Sequence, residues 1–219
     1  MSEPRTLLVI AGEFPPLKTI GRIRTVKFVD QLRQYGWRSI VVTLEPSGSE
    51  GNYDPSLMAE IADGIEVVRL PLRNREVEIA DAVKRLLGRK PAARGAVATP
   101  GGNAQPAAKP VSSQRSGGVL DHAHDLTRWV LRTFVDVPDN YRLWADEALK
   151  AARRLCAERR IDAIYTTLPP FSSMLVGHAL RAETGLPWIA DYRDLWYGDV
   201  LREWVPDWRK KLELRMERR

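Results

Sequence analysis

Thr6-Leu-Leu-Val-Ile-Ala11 is an unbroken apolar run stopped by Gly12, and this run with its neighbouring loop leaves few choices of fold. A strand with one wet face alternates, so a continuous run suits a parallel strand buried on both faces. Glu13-Phe-Pro-Pro-Leu-Lys-Thr-Ile-Gly21 comes next, a loop kept out of helix by its prolines and flanking glycines. From Arg22 onward Ile23, Val26, Val29 and Leu32 recur at helical spacing, with Gly36 as the stop, and Arg38-Ser-Ile-Val-Val-Thr-Leu44 reads as a second strand. Strand, helix and strand in this order make a βαβ unit, with parallel strands and a right-handed crossover.

A second unit of the same kind lies near the other end. Ile161-Asp-Ala-Ile-Tyr-Thr-Thr167 is a strand broken by Leu168-Pro-Pro170. Phe171 to Thr184 is a helix closed by Gly185, and Trp188-Ile-Ala190, opened by Pro187, is a buried strand that stops at the charged cluster Asp191-Tyr-Arg-Asp194. Between the two units, residues 45–64 are turn-rich with a short helix near Ser56 to Ala62. Ile65 to Leu70 is a strand ended by Pro71, and a charged helix runs from about Glu76 to Leu87. A helix opens at Pro138-Asp139 with Asp139 as its N-cap, burying Trp144, Ala148, Ala152, Leu155 and the thiol Cys156. A basic helix capped by Asp207 runs from Trp208 to Arg219 with no stop signal, as if cut in mid-helix. The predicted fold is α/β, a Rossmann-like parallel sheet with helices on both faces.

Charge narrows the partners. The formal charge is +6, but Arg89 to Gly118 holds Arg89, Lys90, Arg94, Lys109 and Arg115 and no acidic residue. The remainder is close to neutral, so no general footprint for nucleic acid is left. That segment, rich in Ala, Pro, Gly and Ser, is expected to be a disordered basic insertion. Leu120 to Val137 has Leu126, Trp129, Val130 and Phe134 on one helical face. It reads either as a helix packed on the domain or as an interfacial helix at a membrane, next to a segment that anionic lipids would attract. A lone cysteine, no membrane-length apolar run and no leader pattern point to the cytoplasm.

Three loops leave the C-terminal ends of parallel strands, where open α/β sheets bind ligands. The first offers Glu13, Lys18, Gly21, and Arg22 or Arg24 at the start of its helix. The second offers Ser172 and Ser173 in the first turn of a helix, whose free N–H groups favour an anion. The third offers Asp191, Arg193 and Asp194; three charges in four residues are costly to bury unpaired, which favours the floor of a polar cleft over plain core. This mixture suits a hydroxyl-rich or phosphorylated ligand. Gly12 and Gly21 do not form the dinucleotide fingerprint and no P-loop occurs, which disfavours a nicotinamide oxidoreductase. The histidines His122, His124 and His178 complete no metal site, and helical spacing places His178 on a solvated face.

Gly12-Glu-Phe-Pro-Pro16, Gly21-Arg-Ile-Arg24, Val137-Pro-Asp-Asn-Tyr-Arg-Leu-Trp144, Thr167-Leu-Pro-Pro-Phe-Ser-Ser173 and Pro187-Trp-Ile-Ala-Asp-Tyr-Arg-Asp-Leu-Trp196 together resemble the N-terminal domain of family 4 glycosyltransferases. These are retaining enzymes of the GT-B fold. The resemblance covers nearly all of 1–219 outside 89–118. Many members carry a Gly-Gly pair where this chain has Ile20-Gly21, and a histidine where it has Arg193. The resemblance implies the acceptor-side half of an enzyme that moves a sugar from a nucleotide-sugar donor to a glycan or lipid-linked acceptor, without a metal or other cofactor. It implies Asp191, Arg193 and Asp194 as catalytic residues and Glu13, Lys18, Gly21, Arg24, Ser172 and Ser173 as substrate-binding ones. The donor-binding C-terminal domain is absent from these residues, so the chain alone should turn over nothing. It also implies peripheral contact with the cytosolic face of a membrane. The alternative is a non-catalytic binding module that pairs with a separate subunit.

Overall fold

A computed structural model describes residues 3–46, 52–72, 130, 133–134, 136–198 and 205–218. Five strands form one all-parallel sheet in the order β3-β2-β1-β4-β5: β1 is Arg5–Ala11, β2 Trp37–Glu45, β3 Glu66–Pro71, β4 Ala163–Leu168 and β5 Trp188–Tyr192. The two predicted βαβ units therefore share one sheet, joined where β1 pairs with β4, for instance Val9 with Tyr165. The strand order reverses direction at this seam, which makes it the topological switch point.

Alternate residues of the strands build the two sides of the core. Leu8, Ile10, Ile40 and Val42 face α2 (Arg142–Glu158) and α3 (Ser172–Thr184), packing on Trp144, Ala148, Val176 and Leu180. Leu7, Val9, Val41 and Tyr165 face α1 (Ile20–Arg33), packing on Val26 and Val29. Each such side chain, fully buried, contributes on the order of 2 kcal/mol, enough in sum to fix the register of the three central strands β2, β1 and β4. Cys156 lies half-buried on α2, its thiol pushed up by burial, as expected of an inert packed cysteine.

Several boundaries differ from the sequence reading for physical reasons. α1 starts at Ile20, so Gly21 stands in its first turn rather than in the loop, and its inward stripe is Arg22, Thr25, Val26 and Val29. Ile23 is exposed instead, because Arg22 turns inward to pair with Glu60. β5 is an edge strand, not a fully buried one; it includes Asp191, and Ile189 is 53% exposed. The short helix after β2 is a 3₁₀ turn, Pro55–Glu60, capped by Asp54 through the Ser56 amide at 3.0 Å. The last helix is α4 (Asp207–Glu217), with Arg218 at its C-cap, and Asp207 lies in its first turn behind Pro206 rather than capping it. His178 is half-buried and meets the Trp188 ring edge-on at 6.5 Å rather than facing solvent. The predicted helix at 76–87, the insertion at 89–118, His122, His124 and most of the helix at 120–137 lie outside the described residues. Among the described residues, no helix is long and apolar enough to cross a membrane.

Candidate functional site

The loops after β1 and β5 meet at the switch point. Together with the first turn of α1 they wall a cleft of about 550 Å³, lined by Glu13, Lys18, Gly21, Arg24, Arg193 and Asp194, with Asn52 and Pro169 completing the rim. Six of the nine predicted site residues thus line one concavity, although Glu13 and Arg193 are far apart in sequence.

Two ion pairs organise it. The Arg193 guanidinium lies 3.3 Å from Glu13 Oε2 and also donates to the Pro169 carbonyl, while the Arg193 amide donates to the Leu168 carbonyl at 2.8 Å. Both side chains of this pair are largely buried, at 14% and 11% exposure, so neither is a loose surface charge. Arg193 is therefore tied to β1, β4 and β5 at once. A Cβ at Gly21 would sit 1.6 Å from Arg193 Nη1 and 1.9 Å from Glu13 Oε2; the pair closes across the helix start only because this residue has no side chain. In the second pair, Asp191 Oδ1 accepts from the Arg24 guanidinium at 2.6 Å, and Oδ2 accepts from the Tyr165 hydroxyl at 2.5 Å. Burial, then the bond to Asp191, pushes the Tyr165 hydroxyl far up, so it stays a proton donor at any ordinary pH.

The remaining two predicted residues are elsewhere. Ser172 and Ser173 are completely buried. The Asp139 carboxylate accepts from the Ser172 amide at 3.1 Å and from its hydroxyl at 2.5 Å, and from the Tyr141 amide at 3.0 Å. The anion that the start of α3 favours is thus supplied from within the chain, and no ligand reaches it there. This corrects two expectations. Ser172 and Ser173 brace the fold beneath Pro169 and Pro170, and Asp139 caps α3 as well as the turn before α2. The second loop contributes to the cleft through Pro169 alone.

Sequence reasoning missed Tyr165, Asn52 and the role of Asp139. Tyr165 had a readable signal, since a phenol in the middle of a fully buried strand needs a partner for its hydroxyl. Asn52 had none; it reaches the rim because the Lys18 amide bonds its carbonyl at 2.6 Å and Leu17 bridges to Tyr53.

The cleft is lined by the cations Lys18, Arg24 and Arg193 and the carboxylates Glu13 and Asp194, with Arg193 paired to Glu13 and Arg24 paired to Asp191. Such a wall presents donors and acceptors together without a strong net charge. It can hold a polyhydroxylated, uncharged molecule by directional hydrogen bonds. Among the described residues no group of histidine, cysteine and carboxylate side chains is placed to hold a metal.

No family model matches the chain, and no curated protein matches it. Among solved structures, the C-terminal domain of a hydrogenase from Pyrococcus furiosus is similar with a TM-score of 0.38 and 11% identity, over 87% of this chain and 92% of that one. A likeness of that grade carries no argument about what the chain does.

Proposed function

We propose that this chain is the acceptor-side half of a sugar-transferring enzyme of the GT-B type. The observation that carries the reading is the paired-charge cleft at the β1/β4 switch point, where Glu13, Lys18, Gly21, Arg24, Arg193 and Asp194 come together. In this reading Arg193, fixed by Glu13 and the Pro169 carbonyl, orients hydroxyls of the acceptor. Asp194 accepts from neighbouring hydroxyls, and Asp191, bonded to Tyr165, holds Arg24 in place beside them. The nucleotide sugar is held by a donor-binding half, supplied as further chain or as a separate subunit, and transfer takes place between the two walls. No metal is invoked. The family likeness of the Pro-Pro-x-Ser-Ser and Asp-Tyr-Arg-Asp-Leu-Trp segments supports the same reading, with the change that Ser172 and Ser173 serve as supports rather than contacts. Work at the cytosolic face of a membrane belongs to this proposal as well.

Saturation-transfer NMR tests the binding half of it. Neutral oligosaccharides should give weak but specific signals, lost in Arg193→Ala, while nucleotide sugars alone should give weaker ones. Robust sugar transfer by the 219-residue chain alone, or tight nucleotide-sugar binding without oligosaccharide binding, would overturn the assignment. Oligosaccharide binding that no added donor half converts into transfer would favour a non-catalytic binding module.

A further inference from the structure

Asp194 lines the cleft from a stretch with little regular structure. β5 ends at Tyr192, and residues 193–198 run as bends and a turn. Arg193 is tied at the head of this stretch, to Glu13 and to the Pro169 carbonyl. Beyond it Leu195 and Tyr197 are exposed, and Trp196 is the one buried side chain of 193–198. Where Asp194 comes to rest is therefore set by what holds Trp196, two residues on and at most about 7 Å of backbone away.

The holder is α4. Trp196 Nε1 donates to Glu213 Oε2 at 3.0 Å, and Glu213 Oε1 accepts from Arg209 Nε at 2.8 Å. Both charged side chains are almost wholly buried, at 4% and 2% exposure. Arg209 also donates to the carbonyls of Thr133, Asp136 and Pro138 at 3.3, 2.9 and 2.8 Å, which anchors α4 to the chain leading into the Asp139 brace. The Trp196 ring stacks on Phe171, with centroids 5.1 Å apart and planes 12° from parallel, and Met216 of α4 packs on the same cluster. Phe171 follows directly on Pro169-Pro170. The indole thus joins the loop that supplies Pro169 to the cleft and the loop that supplies Asp194.

An ion pair buried this deeply gives up its hydration on both sides, and apolar residues of like volume would pack there at least as well. What apolar residues could not do is fix the direction of an indole N–H. We propose that Trp196, Glu213 and Arg209 are positioning residues of the cleft. The buried pair orients the indole, and the indole sets Asp194 and the Pro169 loop at the spacing a ligand meets. None of the three lines the cleft itself. The geometric part is independent of what the ligand is; the effect on oligosaccharide rests on the acceptor-side reading.

Trp196→Phe, which keeps a ring on Phe171 and deletes the N–H, tests it in the isotopically labelled 219-residue chain. Without ligand, the amide signals of Arg193, Asp194 and Leu195 should shift. Their hydrogen exchange should quicken about tenfold relative to Val9 and Val41 in the sheet. Glu213→Gln, of nearly the same shape, can accept from only one of its two donors and should shift the same amides; it carries the test if Trp196→Phe does not fold. Ile161→Val trims the core at the opposite end of β4 and should lower the melting temperature while leaving these loop signals unchanged. Oligosaccharide affinity should fall roughly fivefold in Trp196→Phe, the worth of about one hydrogen bond from Asp194, and hold in Ile161→Val. Loop amides that match the parent in both variants would overturn the proposal, whether or not the parent binds oligosaccharide. So would an unchanged affinity in variants whose loop moves, or equal loop shifts in Ile161→Val, which would assign the three residues to stability alone. A parent that binds no oligosaccharide, with a loop that moves in the variants, would uphold the positioning and overturn the acceptor-side reading instead.

Discussion

Two helices of this molecule begin directly above the C-terminal ends of neighbouring strands, and they use that position in opposite ways. Neither N-cap, Thr19 for α1 or Phe171 for α3, makes a side-chain capping bond, and neither first turn holds an acidic residue. At α3 the missing acceptor arrives from the chain before α2: Asp139 takes the Ser172 amide and hydroxyl and is held in place by them. At α1 the neighbouring carboxylate, Glu13, pairs instead with Arg193 across Gly21, and both border open space. One start is a closed brace; the other is the wall of a cleft. The same fold device, a helix dipole over a strand end, leaves an open cleft only where the chain has not already filled it.

The contrast can be broken at several points. Emptying the brace should have the largest effect. Asp139→Ala strands the buried Ser172 hydroxyl and two amides and should cost about 3 kcal/mol, read as a lower urea midpoint with an unchanged slope. The same carboxyl sets a pH signature. Burial pushes it above its ordinary value of 3.8 in spite of the bonds it accepts. The native state then holds this proton more tightly than the unfolded chain does, so the contribution of Asp139 to stability is greatest below 3.8 and declines as pH rises through the raised native value. Asp139→Asn should remove that decline, measured as melting temperature against pH.

Closing the open wall should act on binding and on stability together. In Gly21→Ala the new methyl group forces the Arg193 and Glu13 side chains apart, and breaking this largely buried pair should cost about 2 kcal/mol. Oligosaccharide binding should fall by roughly tenfold or more as the guanidinium swings away. Tyr165→Phe should be milder. It deletes one hydrogen bond to Asp191, which keeps its pair with Arg24, for a loss of about 1 kcal/mol. The smallest effect belongs to Arg24→Ala, within about 0.5 kcal/mol, because its guanidinium is 59% exposed and screened.

The sheet was legible because its strands are written as continuous apolar runs: Leu7 to Ala11 and Ile40 to Leu44 admit no other element once the helical spacing between them is seen. The convergence of three loops followed from the parallel topology, and the gathering of Glu13, Lys18, Gly21, Arg24, Arg193 and Asp194 agrees with it. What sequence could not supply was which polar residues would spend their bonding capacity on each other. Ser172 looks like a first-turn ligand contact until Asp139 is brought against it, and nothing in the spacing between them announces that pairing. Asp191 reads as the stop of β5, yet β5 runs through it, because its partners Tyr165 and Arg24 satisfy the charge in place. The edge position of β5, which leaves Ile189 exposed, depends on the strand order and not on the strand's own composition.

Amide chemical-shift mapping of the isotopically labelled chain, titrated with a neutral oligosaccharide, tests the cleft most directly. The shifts should gather at Lys18, Gly21, Arg24, Asn52 and Arg193 and spare Ser172 and Ser173. Shifts centred instead on the groove at the opposite ends of the strands, around Arg38, Gly64 and Arg159, or the absence of any shift, would contradict the assignment of the switch-point cleft as the ligand site.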